Sequence, residues 1–272
     1  MRTGALGDVC LTFPVLRALC ATGRRVDVMA KRAFGPLLVR AGRIDRLWDA
    51  EAAESMWLFL ARNPAGYETA VVFSEAHRLA ASEAGIPEVL SVAARPAPGV
   101  SASAHFCSVW PRVERVGLAD SAGRRAGPAR ALDKQHCPKR PPSRERGSPS
   151  ARIGSVVIAP GSAGAEKRWP LDRWRAVDEA LRERGVQPRW IGGPLEPWAA
   201  ERPDLAGLIA IASEAAVWLG ADSGPAHLAG LCGARVGIVA RPESLAWLPV
   251  GAKAFAWEAG PADIAGWALG DG

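Results

Sequence analysis

The sequence predicts an α/β protein of two lobes, each a parallel β-sheet covered by helices on both faces. Three observations carry that expectation. Short apolar runs alternate with helical stretches through both halves of the chain. A segment rich in Pro, Gly, Ser and Arg separates the halves, and 272 residues of 49% apolar composition suffice for two cores, at about 100 to 150 residues each.

In the first half, RRVDVMAK (24–31), IDRLWDA (44–50) and YETAVVFS (67–74) read as short buried strands separated by helical stretches such as SMWLFLARN. In the second half, RIGSVVIAPGS (152–162) and VQPRWIGG (186–193) bracket the amphipathic LDRWRAVDEALRERG, with Gly185 as its stop signal. AAVWLGA and ARVGIVA add two more strands around a helix that begins near Asp222. Repeated βα units imply parallel sheets, hence two Rossmann-like lobes with a cleft between them. The expected boundaries are a first lobe at 1–120, a basic linker at 121–150 and a second lobe at 151–272.

The net charge of +6 comes entirely from the linker, which holds eight Lys or Arg against Asp133 and Glu145. The remainder is balanced, so the folded lobes offer no basic excess to a nucleic-acid backbone, and no nucleic-acid partner is expected. The linker has few large apolar residues to offset the entropy of ordering, and its basic side chains could instead touch an anionic membrane surface. Cys10, Cys20, Cys107, Cys137 and Cys232 are odd in number and lack CxxC spacing, so they read as small apolar residues rather than a disulfide or zinc set. No signal-like start and no long uncharged apolar run is present. The expected location is cytoplasmic, with peripheral contact at the inner face of the membrane.

The chemistry gathers at strand ends. In WLGADSGPAHLAG (218–230) an apolar strand gives way to Asp222, Ser223, Gly224, Pro225 and then His227. Asp and Ser suit an N-cap, and Pro suits the first helical turn, where its missing N–H costs nothing. Unpaired amides at the 223 to 225 turn and the positive helix end would face an anion at the carboxyl edge of the sheet. His227, one turn in, could donate to the same anion; the plainer alternative is a cap and a locally packed imidazole. A second loop, AGAEKRWPLDRW, follows Ser162 and presents Lys167, a point charge for phosphate oxygens; otherwise it is a solvated basic loop with Trp169 as a packing plug. A third, WIGGPLE, places Glu196 after Gly192 and Gly193, where a carboxylate could hold ribose hydroxyls; otherwise Glu196 is a first-turn helix residue.

Together, PGS, the K-x-W-P loop at Lys167 to Pro170, GG-x-x-E at Gly192 to Glu196 and D-S-G-P-x-H-L-A at Asp222 to Ala229 resemble the heptosyltransferases, glycosyltransferase family 9. These are ADP-heptose:lipopolysaccharide transferases of the two-lobed GT-B fold. RTGALGDVCLTFPVLRAL, at the amino terminus, resembles the family's opening glycine turn and Gly-Asp pair. The likeness covers most of residues 2–20 and 153–240. It implies a donor lobe at 151–272 that takes a nucleotide-diphosphate sugar, most often ADP-heptose, as co-substrate. It further implies an acceptor lobe at 1–120 for a lipopolysaccharide-core glycolipid, and transfer with inversion without cofactor or metal. Asp8 aligns with the carboxylate proposed to take the acceptor hydroxyl proton. Lys167, Ser162, the amides at 223 to 225 and His227 would stabilise the leaving diphosphate, with Glu196, Asp222, Ser223 and Gly224 completing the donor site.

The chain also departs from the pattern. Family members open with a β-strand before the glycine turn, whereas here Arg2 follows Met1, so the first lobe is expected to lack its first strand. An inactive or noncatalytic nucleotide-sugar-binding homologue is the alternative reading. GALGDV lacks the third glycine of a dinucleotide fingerprint, and GADSGPA is not the GxSxG elbow of a serine hydrolase.

Overall fold

Among the described residues nine strands form, and every pairing between them is parallel. The computed structural model describes residues 5–109, 111–112, 155–193 and 196–271. The chain divides into two units, Met1–Asp133 and Lys134–Gly272. The expected linker at 121–150 and the opening residues 1–4 lie outside the described residues.

The first unit runs α1 (Leu6–Ala21), β1 (Asp27–Ala30), α2 (Gly35–Leu38), β2 (Arg46–Asp49), β3 (Thr69–Val72), α3 (Glu75–Glu83), β4 (Glu88–Ser91) and α4 (Ala102–Cys107). The strands expected at 24–31, 44–50 and 67–74 are β1, β2 and β3. β1 pairs only with β2 and β3 only with β4, giving two separate two-stranded sheets. Among the described residues no strand precedes α1. SMWLFLARN forms a 3-10 helix over Ala53–Leu58 rather than an α-helix. The run stops at Ala61, whose φ is +51°, just before Pro64 and Gly66, so it is too short to repay helix nucleation. Trp48, Leu58, Ala81, Ile86 and Met29 form the main buried cluster here.

The second unit runs β5 (Val156–Ala159), α5 (Leu171–Glu183), β6 (Arg189–Trp190), α6 (Leu205–Glu214), β7 (Val217–Ala221), α7 (Gly224–Leu231), β8 (Arg235–Val239), β9 (Lys253–Phe255) and α8 (Pro261–Leu269). Its strands form one sheet in the order β6-β5-β7-β8-β9. All residues of β5 and β7 are buried, as expected of parallel strands covered on both faces. α5 turns Trp174, Val177 and Leu181 into the core, the three- and four-residue spacing of one helical face. Gly185, at φ +79°, follows the end of that helix as expected.

The centre of the sheet is tight where its functional loops begin. Ala159 and Gly220 are register partners, and a Cβ on Gly220 would lie 2.4 Å from the Ala159 carbonyl oxygen. The contact is with backbone, so β5 and β7 would have to part. Gly220→Ala is expected to destabilise the protein by about 1–3 kcal/mol, read as a lowered denaturant midpoint; an unchanged midpoint would show that the strands yield without cost.

Candidate functional site

Three loops leave the carboxyl ends of the three adjacent strands β6, β5 and β7, the edge at which open parallel sheets bind ligands. The loop after β5 carries Ser162 and Lys167, the one after β6 carries Glu196, and the one after β7 carries Asp222, Ser223 and Gly224. His227 lies within α7.

A continuous set of contacts joins these residues. The buried Ser162 hydroxyl donates to the Asp222 carbonyl oxygen at 2.9 Å, fastening the first loop to the third. Lys167 Nζ donates to Asp222 Oδ2 at 2.6 Å, and His227 Nε2 lies 3.9 Å from Asp222 Oδ1. That longer approach is an ion-pair distance, so the Lys167 contact is the direct one. Arg168 Nε donates to the Ser162 carbonyl at 2.8 Å, and its Nη2 lies 3.9 Å from Glu196 Oε1. Glu196 Oε2 accepts from the Gly193 N–H at 2.7 Å.

Glycines make room for that carboxylate. A Cβ on Gly161 would sit 2.6 Å from Glu196 Cδ, and one on Gly193 would sit 2.9 Å from Glu196 Oε2. Glu196 is buried and belongs to a turn, well ahead of α6, so the alternative of a first-turn helix residue does not hold. The Lys167 loop is anchored from beneath. Trp169, itself buried, donates through Nε1 to the Trp257 carbonyl at 2.8 Å. Arg241 Nε holds the Glu166 carbonyl at 3.0 Å while its guanidinium lies 4.2 Å from the Trp257 ring centroid. Trp169 is therefore the packing plug that its alternative reading proposed, and it anchors the loop that carries Lys167.

The start of α7 offers donors. Ser223 is its N-cap residue but makes no side-chain cap bond, and its hydroxyl oxygen is buried without a hydrogen-bond partner. Of the three amides expected at 223 to 225, Pro225 supplies none because it has no N–H. Gly224 and Ala226 remain to carry first-turn donors, since the His227 N–H is given to the Ser223 carbonyl at 3.3 Å.

Asp8 belongs to the other unit. It lies in the first turn of α1, where Asp8 Oδ2 accepts from the Ala5 N–H at 3.0 Å, a helix-capping contact.

Residues 128–239 match the family profile described as glycosyltransferase family 9 (heptosyltransferase). This stretch is similar to a glycosyltransferase family 9 domain. No curated protein matches the chain. Among solved structures, E. coli ADP-heptose lps heptosyltransferase II aligns over 97% of this chain and 95% of its own, at 16% identity and a TM-score of 0.65. E. coli heptosyltransferase WaaC with ADP aligns over 97% of this chain and 96% of its own, at 14% identity and a TM-score of 0.63. A family 9 glycosyl transferase from Veillonella parvula aligns over 94% of this chain and 83% of its own, at 18% identity and a TM-score of 0.62. The fold is that of the GT-B heptosyltransferases. No helix among the described residues is long and apolar enough to cross a membrane.

In the second unit the electrostatic centre of these loops is Asp222. Burial pushes its carboxyl up, but the His227 ring and the Lys167 ammonium more than offset this and leave it below the usual 3.8. Asp222 is thus an anion held by two neighbours. Its chemistry suits orienting Lys167 and His227 rather than touching a phosphate, which would repel it. Arg168 and Arg241 escaped the sequence reading as contributors; Arg168 sits inside the K-x-W-P loop, but nothing local in the chain indicates that Arg241 reaches Glu166.

A carboxyl whose native value is depressed stabilises the fold above its unfolded value and loses that contribution as pH falls through the native value. Removing the ammonium raises the native value of Asp222. Lys167→Met is therefore expected to lose stability at higher pH than wild type during acid titration, followed by urea midpoints between about pH 2 and pH 6. Superimposable profiles would show that Lys167 does not hold the Asp222 charge.

Proposed function

We propose that the protein transfers a heptose-type sugar, with inversion and without a metal ion, from a nucleotide-diphosphate sugar to a glycolipid of the lipopolysaccharide-core type. ADP-heptose is the proposed donor. The observation that carries this reading is the Lys167–Asp222–His227 cluster beside the amino end of α7, within the matched family 9 stretch. The similar E. coli enzymes bear out the donor class in their own cases, one being an ADP-heptose transferase and another having been solved with ADP.

The proposed chemistry follows from the charges. As the anomeric carbon–oxygen bond breaks, negative charge grows on the departing diphosphate. Lys167 keeps N–H donors beyond the one given to Asp222, and His227, the orphaned Ser223 hydroxyl and the first-turn amides of α7 face the same end of the sheet. Such preorganised donors favour the charge that develops over the ground state. The Ser162 proton is committed to the Asp222 carbonyl, so in this proposal Ser162 fixes the loop and Asp222 orients the cations. Glu196 takes the ribose hydroxyls. Asp8 accepts the acceptor hydroxyl proton as that oxygen attacks; this proton becomes acidic only late in bond formation, so an ordinary carboxylate suffices.

One observation favours a second reading, a noncatalytic nucleotide-sugar-binding protein: the Asp8 carboxylate is engaged with the Ala5 N–H. Calorimetry with ADP-heptose and ADP, paired with a sugar-transfer assay on a lipopolysaccharide-core acceptor, separates the two. For an enzyme, Asp8→Asn keeps donor affinity and loses about 10²- to 10⁴-fold in kcat. Lys167→Met weakens ADP binding by roughly tenfold or more, the range for a charge-assisted contact. Binding without turnover in the wild type would favour the second reading. Absence of affinity for any nucleoside diphosphate would remove both.

A further inference from the structure

A cleft of about 270 Å³ lies in the first unit, bordered by residues at the carboxyl ends of its strands, the edge where parallel sheets bind ligands. Lys31 follows directly on β1, Glu51 lies just beyond β2, and His77 is in the first turn of α3, which follows β3. Ser55 and Met56 of the Ala53–Leu58 3-10 helix border it too, with Phe59 just after them.

The lining is part polar and part apolar. Lys31 Nζ and Glu51 Oε1 are 2.7 Å apart on side chains that remain well exposed. Met56 and Phe59 are about half exposed, an uncommon position for large apolar side chains at a cleft unless something covers them. Ser55 is only 3% exposed, and its hydroxyl oxygen is buried without a hydrogen-bond partner. Such an orphan is costly, and a turn about χ1 alone redirects it. The His77 ring packs against Phe59 with centroids 5.8 Å apart, and its Nδ1 is engaged with the Ser74 hydroxyl. Burial holds His77 below the usual imidazole value of 6.5, so it is uncharged at neutral pH.

We infer that this cleft binds one uncharged, hydroxyl-rich ring, a neutral sugar unit, and discriminates against acidic and phosphorylated sugars. Pockets for drug-sized ligands begin at about 300 Å³, so the volume suits a single ring. Neighbouring ring hydroxyls each donate and accept. The Lys31 ammonium keeps donors beyond the one given to Glu51, the Glu51 carboxylate keeps lone pairs, and Ser55 does both. The C–H face of the ring would cover Phe59 and Met56. A carboxylate or phosphate gains little, because the Lys31 charge is already met by Glu51, whose own charge would repel it. The neighbouring Arg32 and Arg78 are paired as well, with Asp49 at 3.4 Å and Glu75 at 2.5 Å. That the ring belongs to the sugar acceptor rests on the glycosyl-transfer reading; that the cleft binds it does not.

The test follows the backbone amide signals of the full chain by NMR during titration with five probes. Three are the methyl glycosides of glucose, galactose and mannose; the others are glucuronic acid and glucose 6-phosphate. At least one neutral glycoside is expected to shift the amides at 50–56 and 77, and to bind roughly tenfold or more tighter than either charged sugar. Ser55→Ala should weaken that binding by roughly three- to tenfold, the scale of one neutral hydrogen bond, without lowering the melting temperature, because it removes an unsatisfied group. Glu51→Gln frees the Lys31 charge and should strengthen glucuronic acid binding by roughly tenfold. Equal or tighter binding of a charged sugar by the wild type would overturn the inference. So would the absence of shifts at 50–56 and 77 with every neutral glycoside, or unchanged affinity in Ser55→Ala. Failure of the glycosyl-transfer reading shows separately, as absent affinity for nucleoside diphosphates, and leaves this titration as it is.

Discussion

A single buried carboxylate organises the second unit's functional edge. Asp222 follows directly on the fully buried strand β7, with its side chain almost wholly out of solvent. An ionised group there is costly unless it is paired. The pairing determines what the neighbouring loops can do. Lys167 must come across from the β5 loop to supply its charge, His227 must lie one turn into α7, and the Ser162 hydroxyl must tie down the Asp222 carbonyl. The three side chains are held where they are by the same desolvation that would otherwise expel the carboxylate.

That arrangement bears on how the proposed diphosphate would meet a site with a carboxylate at its centre. One Asp222 oxygen faces the Lys167 ammonium and the other the His227 ring, so its charge is offset locally, while Lys167 remains over a third exposed on its side chain and keeps donors to spare. The unpartnered Ser223 hydroxyl and the first-turn amides of α7 add further donors. Glu196 is handled differently. It is lodged among Gly161, Gly192 and Gly193 rather than beside a lysine, with Arg168 3.9 Å from its carboxylate. Arg168 also holds the Ser162 carbonyl, so it couples the position of the carboxylate proposed for the ribose to that of the loop proposed for the diphosphate.

The parts legible in the sequence were those whose physics is local. A glycine pair after a strand, a serine ahead of Gly-Pro, and Lys-Arg-Trp-Pro before an amphipathic helix each announce a loop and its chemistry within a few residues, and all three loops lie on adjacent strand ends. Contacts fixed by tertiary packing were not legible. Arg241 reaches a carbonyl 75 residues away in sequence, and Trp169 finds that of Trp257; no spacing rule encodes either. Short elements such as β9 and α3 were also missed, the first because three residues carry too little pattern. The role of Ser162 changed for a related reason. The hydroxyl of the serine in PGS reads as a ligand donor until the approach of the β7 loop shows where its proton goes.

Among the described residues, the parallel strands of the second unit join into one sheet and those of the first unit into two. In the second unit β5 is flanked by β6 and β7 and buried along its whole length, so the loops it carries start from fixed backbone. In the first unit the corresponding middle position is a cavity between β1 and β3, bordered by the apolar face of the helix whose first turn holds Asp8. The helix that carries Asp8 follows no strand among the described residues, whereas the Lys167–Asp222–His227 cluster is anchored by the strand ends of one five-stranded sheet.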